Sequence, residues 1–259
     1  MARFAPQYNP HKVTAQIRAI IDFTFWIVFS LSILPFVCKW CEQNSEMKEV
    51  LSILNIISIL LFFVLEIIVD FILFPQSEQK RRDDFIDNSF GSKFSPANSV
   101  EYYDNEELQQ GLYKTSTNLF QNSFFTYSLI KELTLSKIIF PSIVLVAVFV
   151  FAFFGFEKTP ISVTILQVLF SANVLGNLIK HLILLNKLAA IQDGWVSIFQ
   201  NENFKSDTNK YHASIYRYWL QYEALLSRIQ PNIPEKVFKS KNALLTEEWI
   251  KIKTKYQIQ

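Results

Sequence analysis

The sequence predicts an all-α integral membrane protein: four transmembrane helices, two plus a tight two-helix hairpin, with a helical cytoplasmic domain built from the middle and C-terminal segments. Three observations carry this. Half of the 259 residues are hydrophobic and they gather into four blocks. Lysine and arginine collect in three of the five segments outside those blocks. The segments that hold them carry apolar residues at helical spacing.

The blocks are Ala19–Cys38, Val50–Phe74, Ile138–Phe156 and Ile161–Leu185. Each is near or above the roughly 18–20 apolar residues that cross the hydrocarbon core as a helix. A lipid-exposed segment must satisfy its own backbone hydrogen bonds, which makes these helices. The alternative is four helices buried in a soluble bundle, which rarely run so long without a polar stripe. The first block is too long for the apolar part of a cleaved signal peptide, and no small-residue cleavage pattern follows it.

Orientation follows from the basic residues. Arg3, Lys12 and Arg18 precede the first block, in segment 1–18. Lys80, Arg81, Arg82, Lys93, Lys114, Lys131 and Lys137 lie in segment 75–137, and Lys187, Lys205, Lys210, Arg217 and Arg228 in segment 186–259. The remaining loops hold Lys39 and Lys48, then Lys158. The positive-inside rule puts both termini and the middle segment in the cytoplasm. Glu157-Lys158-Thr159-Pro160 closes the two-span hairpin.

Within segment 75–137, Ser95-Pro96-Ala97-Asn98 reads as loop. Phe120, Phe124, Tyr127 and Ile130 then recur at helical spacing into the third span. Leu188, Ile191, Trp195 and Ile198 extend the fourth span as a helix. A further stripe follows at Ile215, Trp219, Tyr222, Leu226 and Ile229, ended by Pro231 and Pro234. A last helix is predicted near Ala243–Lys255. These stripes are buried either against one another or at a dimer interface.

"LLFFVLEIIVDFILF", Leu60–Phe74, is apolar except for Glu66 and Asp70, one helical turn apart. Counted from the inner end, Glu66 lies about 12 Å deep and Asp70 about 6 Å. In the fourth span Lys180 lies about 8 Å and His181 about 6 Å from the inner end. Asp22 of the first span is at a similar level, and Asn173 and Asn177 align with Lys180 at i, i+4 and i+7, with Gln167 higher. Charges in hydrocarbon face partners, the bundle interior or water. Two readings stay open. The layer is a structural lock, Lys180 pairing with Glu66 or Asp70, or it lines a water or ion path, which implies a homo-oligomer because four short spans make a poor pore alone. Asp22 also suits an interfacial role beside headgroups.

Composition excludes much else. A net charge of +2 lacks the concentrated basic face of a DNA or RNA binder. Five glycines leave no phosphate-cradling loop, and His11, His181 and His212 have no ligand partners at metal spacing. No nucleophile motif is present, so no enzyme is predicted and no cofactor or metal is called for. "CKWC" at Cys38–Cys41 resembles the outer-face pair of quinone-dependent disulfide oxidases, but the second outer loop holds no exchange partner. Lys80, Arg81 and Arg82 in "KRRDDF" suit a lipid headgroup or a phosphate, or serve as a topology-setting flank.

Three stretches carry a family resemblance: "DDFIDNSFGSKF" (Asp83–Phe94), "NSFFTYSLIKEL" (Asn122–Leu133) and "IYRYW…IQPNIPEKVF" (Ile215–Phe238). With the order of spans, they resemble the four-transmembrane effectors encoded beside cyclic-oligonucleotide synthases in bacterial antiphage operons. The resemblance covers nearly the whole chain. It implies a defence effector in the bacterial inner membrane. A cyclic nucleotide second messenger or a cytoplasmic partner protein would reach its cytoplasmic domain, and its spans would then associate or reopen and disrupt or permeabilise the membrane. The alternative is a non-conducting scaffold or receptor for a cytoplasmic partner.

Overall fold

The computed structural model describes residues 5–37, 45–100, 102–154 and 172–258. Its elements, in order, are α1 (Tyr8–Val37), α2 (Ser45–Ile68), a π-helical segment (Val69–Leu73) and α3 (Phe74–Phe90). Then come α4 (Leu112–Phe154), a second π-helical segment (Ala172–Gly176), α5 (Asn177–Phe199), a 3-10 turn (Thr208–Tyr211), α6 (His212–Arg228) and α7 (Glu235–Lys255). No strand occurs among the described residues.

Among the described residues, four helices are long and apolar enough to cross a membrane: Tyr8–Pro35, Ser45–Phe90, Leu112–Val150 and Val174–Phe199. All four overrun the blocks read from the sequence. α1 starts well before Ala19, the second helix continues beyond Phe74, and α4 begins far upstream of Ile138. Hydropathy marks only the part of a helix that suits lipid, whereas backbone hydrogen bonding continues past it, here even through Pro75 and Pro141. The hairpin turn at 157–160, the cysteine pair and residues 161–171 lie outside the described residues.

The chain divides into two compact units. A span unit gathers the described residues of 10–75 and 135–179, and a helical unit those of 1–9, 76–134 and 180–259. In the span unit α1 and α2 are antiparallel. Ser32 meets Asn55 at 3.1 Å, Phe25 meets Phe62, and Arg18 meets Asp70 at 2.7 Å, so numbers rise on one helix as they fall on the other. The faces turned away from these contacts are large and apolar. Phe63, Ile143, Phe149 and Phe153 are all exposed, a surface that hydrocarbon accommodates and water does not. Hydroxyls on these helices bond back to their own backbone: Thr24 donates to the Ile20 carbonyl and Ser58 to that of Leu54.

In the helical unit, α4, α5, α6 and α7 pack around Phe120, Leu188, Trp195, Ile215 and Trp249, each fully buried. The stripes read from the sequence, from Phe120 to Ile130, Leu188 to Ile198 and Ile215 to Ile229, meet in this one core. Gly91 ends α3 at φ +72°, a left-handed cap that L side chains rarely adopt, and its N–H donates to the Asp87 carbonyl at 2.8 Å.

Candidate functional site

Two groups of charged residues stand out, one in each unit. In the span unit, Arg18 Nη2 donates to Asp70 Oδ1 at 2.7 Å. The sequence reading sought the cation for Asp70 on the fourth span. The contacting cation is on the first helix instead, because antiparallel neighbours bring the start of one helix beside the end of the other. The same register puts Glu66 level with Asp22. Arg18 and Lys137 both lie within electrostatic range of Asp22. The layer therefore holds Asp22, Glu66 and Asp70 with Arg18 and Lys137. The sequence reading had placed both cations among the topology-setting flanks.

Asp70 belongs to the π-helical segment. The Phe74 N–H reaches back five residues to the Val69 carbonyl rather than four. Pro75 explains the widening. It brings no N–H, and in an unbroken α-helix its ring would press on the carbonyl four residues back. The widened turn is thus encoded next to the acid that Arg18 contacts. Such single π turns are frequent at functional positions in helices.

The fourth-span residues fall differently. Asn173 lies in the second π-helical segment, and Asn177 opens α5 with its side chain exposed. Lys180 is exposed and is counted, with His181, in the helical unit. His181 is buried, its Nε2 3.0 Å from Thr134 Oγ1. The Thr134 hydroxyl also lies 3.1 Å from the Ile130 carbonyl, so it links the His181 ring to the α4 backbone.

In the helical unit, Arg81 turns inward. Its guanidinium donates to Glu78 Oε2 at 3.0 Å and to Glu223 Oε2 at 2.6 Å, and lies over the Tyr222 ring at 6.0 Å. Two carboxylates share one buried arginine, with Arg82 Nε 4.0 Å from Glu223. The headgroup or phosphate expectation for "KRR" therefore rests on the exposed Lys80 and on the half-buried Arg82, whose Nε already donates to the Glu78 carbonyl at 3.1 Å, while the Arg81 donors are engaged inside. Burial pushes the Tyr222 hydroxyl well above its usual range, even against Arg81 and the Thr126 hydroxyl 3.0 Å away.

The acids of "DDFIDNSFGSKF" hold the loop that follows. Asp87 accepts from the Ser92 hydroxyl and the backbone N–H groups of Phe94 and Ser95 at 2.7–2.9 Å, and Asp84 accepts from the Ser99 N–H at 2.6 Å. Below it, Asn105 donates to Asn118 and Gln121, Asn118 to Asn88, and Gln121 to Asp104. The sequence offered no sign of this network, because its members are far apart in the chain and singly unremarkable. Among the described residues, no group of three or more His, Cys, Asp or Glu is placed to hold a metal ion.

Comparison with family models, curated proteins and solved structures finds no match for this chain.

Proposed function

We propose that this chain is a membrane effector whose helical unit receives a signal and whose spans then permeabilise the membrane. The observation that carries the reading is the charged layer of Arg18, Asp22, Glu66, Asp70 and Lys137 on helices long and apolar enough to span. Ionisable groups in hydrocarbon are costly and mark ion or water paths in many membrane proteins. A second feature supports it. α4 runs unbroken from Leu112 to Phe154, helical-unit residues up to Thr134 and span-unit residues from Leu135. A ligand that prefers one arrangement of the helical unit can thereby bias the spans.

The resemblance to the antiphage four-span effectors supplies the context: a bacterial inner membrane, cytoplasmic termini, a cyclic oligonucleotide or partner protein as signal, and a homo-oligomer as the conducting form. The short Arg18–Asp70 contact also favours a second reading, a non-conducting scaffold in which the layer locks helix register. Membrane potential, read with a dye in bacteria expressing the chain, separates the two. Depolarisation that requires a cyclic oligonucleotide from a panel, or a co-expressed synthase, is the outcome expected of the effector. An inserted protein that leaves the potential unchanged under every condition supports the scaffold.

A further inference from the structure

The charged layer and the π-helical segment coincide, and the coincidence has a mechanical consequence. A π turn accommodates one extra residue, and displacing that residue along the chain would let an α-helical ladder re-form behind it. If the widened turn moves toward the N-terminus, the residues it passes turn by about 100° and shift by about 1.5 Å, while the helix beyond keeps its position. Asp70 is in the turn that would be passed first. Its partner Arg18 has Asp22 four residues on along its own helix, on the same face. Asp22 is also within electrostatic range of Arg18. Arg18 therefore has a second carboxylate within reach when Asp70 turns away, and no cation is stranded in lipid.

We propose that the Val69–Leu73 π turn is a two-position switch in which Arg18 exchanges Asp70 for Asp22 as the turn migrates, with Pro75 holding it in the Asp70-paired position. The exchange is a property of the span unit alone. Only its effect on permeability rests on the proposed effector function. Pro75 anchors the switch because the residue lacking an N–H is where an α-helical ladder is interrupted in any case.

The test keeps Arg18, Asp22 and Asp70 and labels single cysteines with a membrane-permeant maleimide, in native membranes and a Cys38→Ser/Cys41→Ser background. Phe71→Cys reports the turn and Phe23→Cys reports α1; both positions are exposed. Each is measured with Pro75 and with Pro75→Ala, which restores the N–H. The expected result is a severalfold change in the Phe71→Cys labelling rate in Pro75→Ala, with Phe23→Cys unchanged, and a return to the Pro75 rate when Asp22→Asn removes the second partner. Unchanged labelling at both positions overturns the switch, and a change at Phe71→Cys that persists in Asp22→Asn overturns the exchange. If Pro75→Ala changes both rates, Pro75→Leu restores the N–H with a different volume, and the same criterion applies to it. Should both rates change again, Pro75 supports the whole helix pair rather than one turn, and the switch is again overturned. Membrane potential in the same cells separates the two claims. Changed labelling at Phe71→Cys without depolarisation keeps the switch and removes the effector reading. Depolarisation with that labelling unchanged keeps the effector and removes the switch.

Discussion

Arg81 shows how far a single residue departs from what its neighbours in sequence suggest. "KRR" after an apolar block reads as a flank, yet Arg81 is bound between Glu78 and Glu223 with its side chain 12% exposed. The signal that could have found it is the i, i+3 spacing to Glu78; Glu223 is too distant in the chain to be read as a partner. Removing one member of a buried ion cluster leaves the others uncompensated. Arg81→Met is therefore expected to lower stability by about 3 kcal/mol, measured by denaturant unfolding in detergent. Conversely, Glu66 and Asp70 were legible as a layer, because carboxylates in an apolar block violate its composition. Arg18 was not, since a basic residue just outside a block is ordinary.

Glu107 provides a pH dependence. Burial works to raise its carboxyl, but the Lys253 ammonium, 2.6 Å away, together with its own backbone N–H and the Lys114 charge, holds it below the usual range. A depressed carboxylate contributes stability that is fully present above the unfolded value, about 4.3, and is lost as pH falls through the lower folded value. Thermal unfolding followed from about pH 6 down to pH 3 should show a drop that is smaller in Glu107→Gln. The Lys253 ammonium also donates to the Asp104 carbonyl at 2.6 Å, so it ties α7 to the loop before α4.

At the scale of elements, periodicity told more than boundaries did. The three apolar stripes are found in one core, because helical spacing is a direct consequence of one face being buried. The start of α1 and the continuation of α2 into α3 were not legible from hydropathy, which is blind to where a polar helix continues; the stripe from Phe120 to Ile130 did carry α4 upstream of its apolar block, though not to Leu112. Nor was the π turn, although Pro75 was in plain view; a proline after a long apolar run reads as an end, and here the helix widens and goes on. Helix contacts also set sharp limits on substitution. A Cβ at Gly194 of α5 would run into the Tyr218 ring of α6. Gly194→Ala is expected to cost about 1–3 kcal/mol by overpacking, seen as a lowered midpoint of unfolding, and Gly194→Ala/Tyr218→Ala to recover part of it.

For the whole molecule, the class was legible and the working arrangement was not. The all-helical class and the four membrane-length helices found among the described residues follow from composition and block length. The division into a span unit and a helical unit interleaves the sequence: the helical unit draws on three separate stretches, and the crossing inside α4, at Thr134–Leu135, falls just before the apolar block that begins at Ile138. The proposed function depends on that interleaving, since each stretch of helical unit is continuous with a span. The charged layer then decides between a gate and a lock.

Charge reversal at Arg18 and Asp70, with membrane potential as the readout, distinguishes these most directly. Arg18→Glu and Asp70→Arg each set like charges against one another across a 2.7 Å contact, and each is expected to depolarise expressing cells without any signal. The double exchange, Arg18→Glu/Asp70→Arg, restores the opposite pairing and is expected to return the cells to full potential. Single reversals that insert normally, at wild-type abundance, and leave the potential intact would contradict a gating role for the layer.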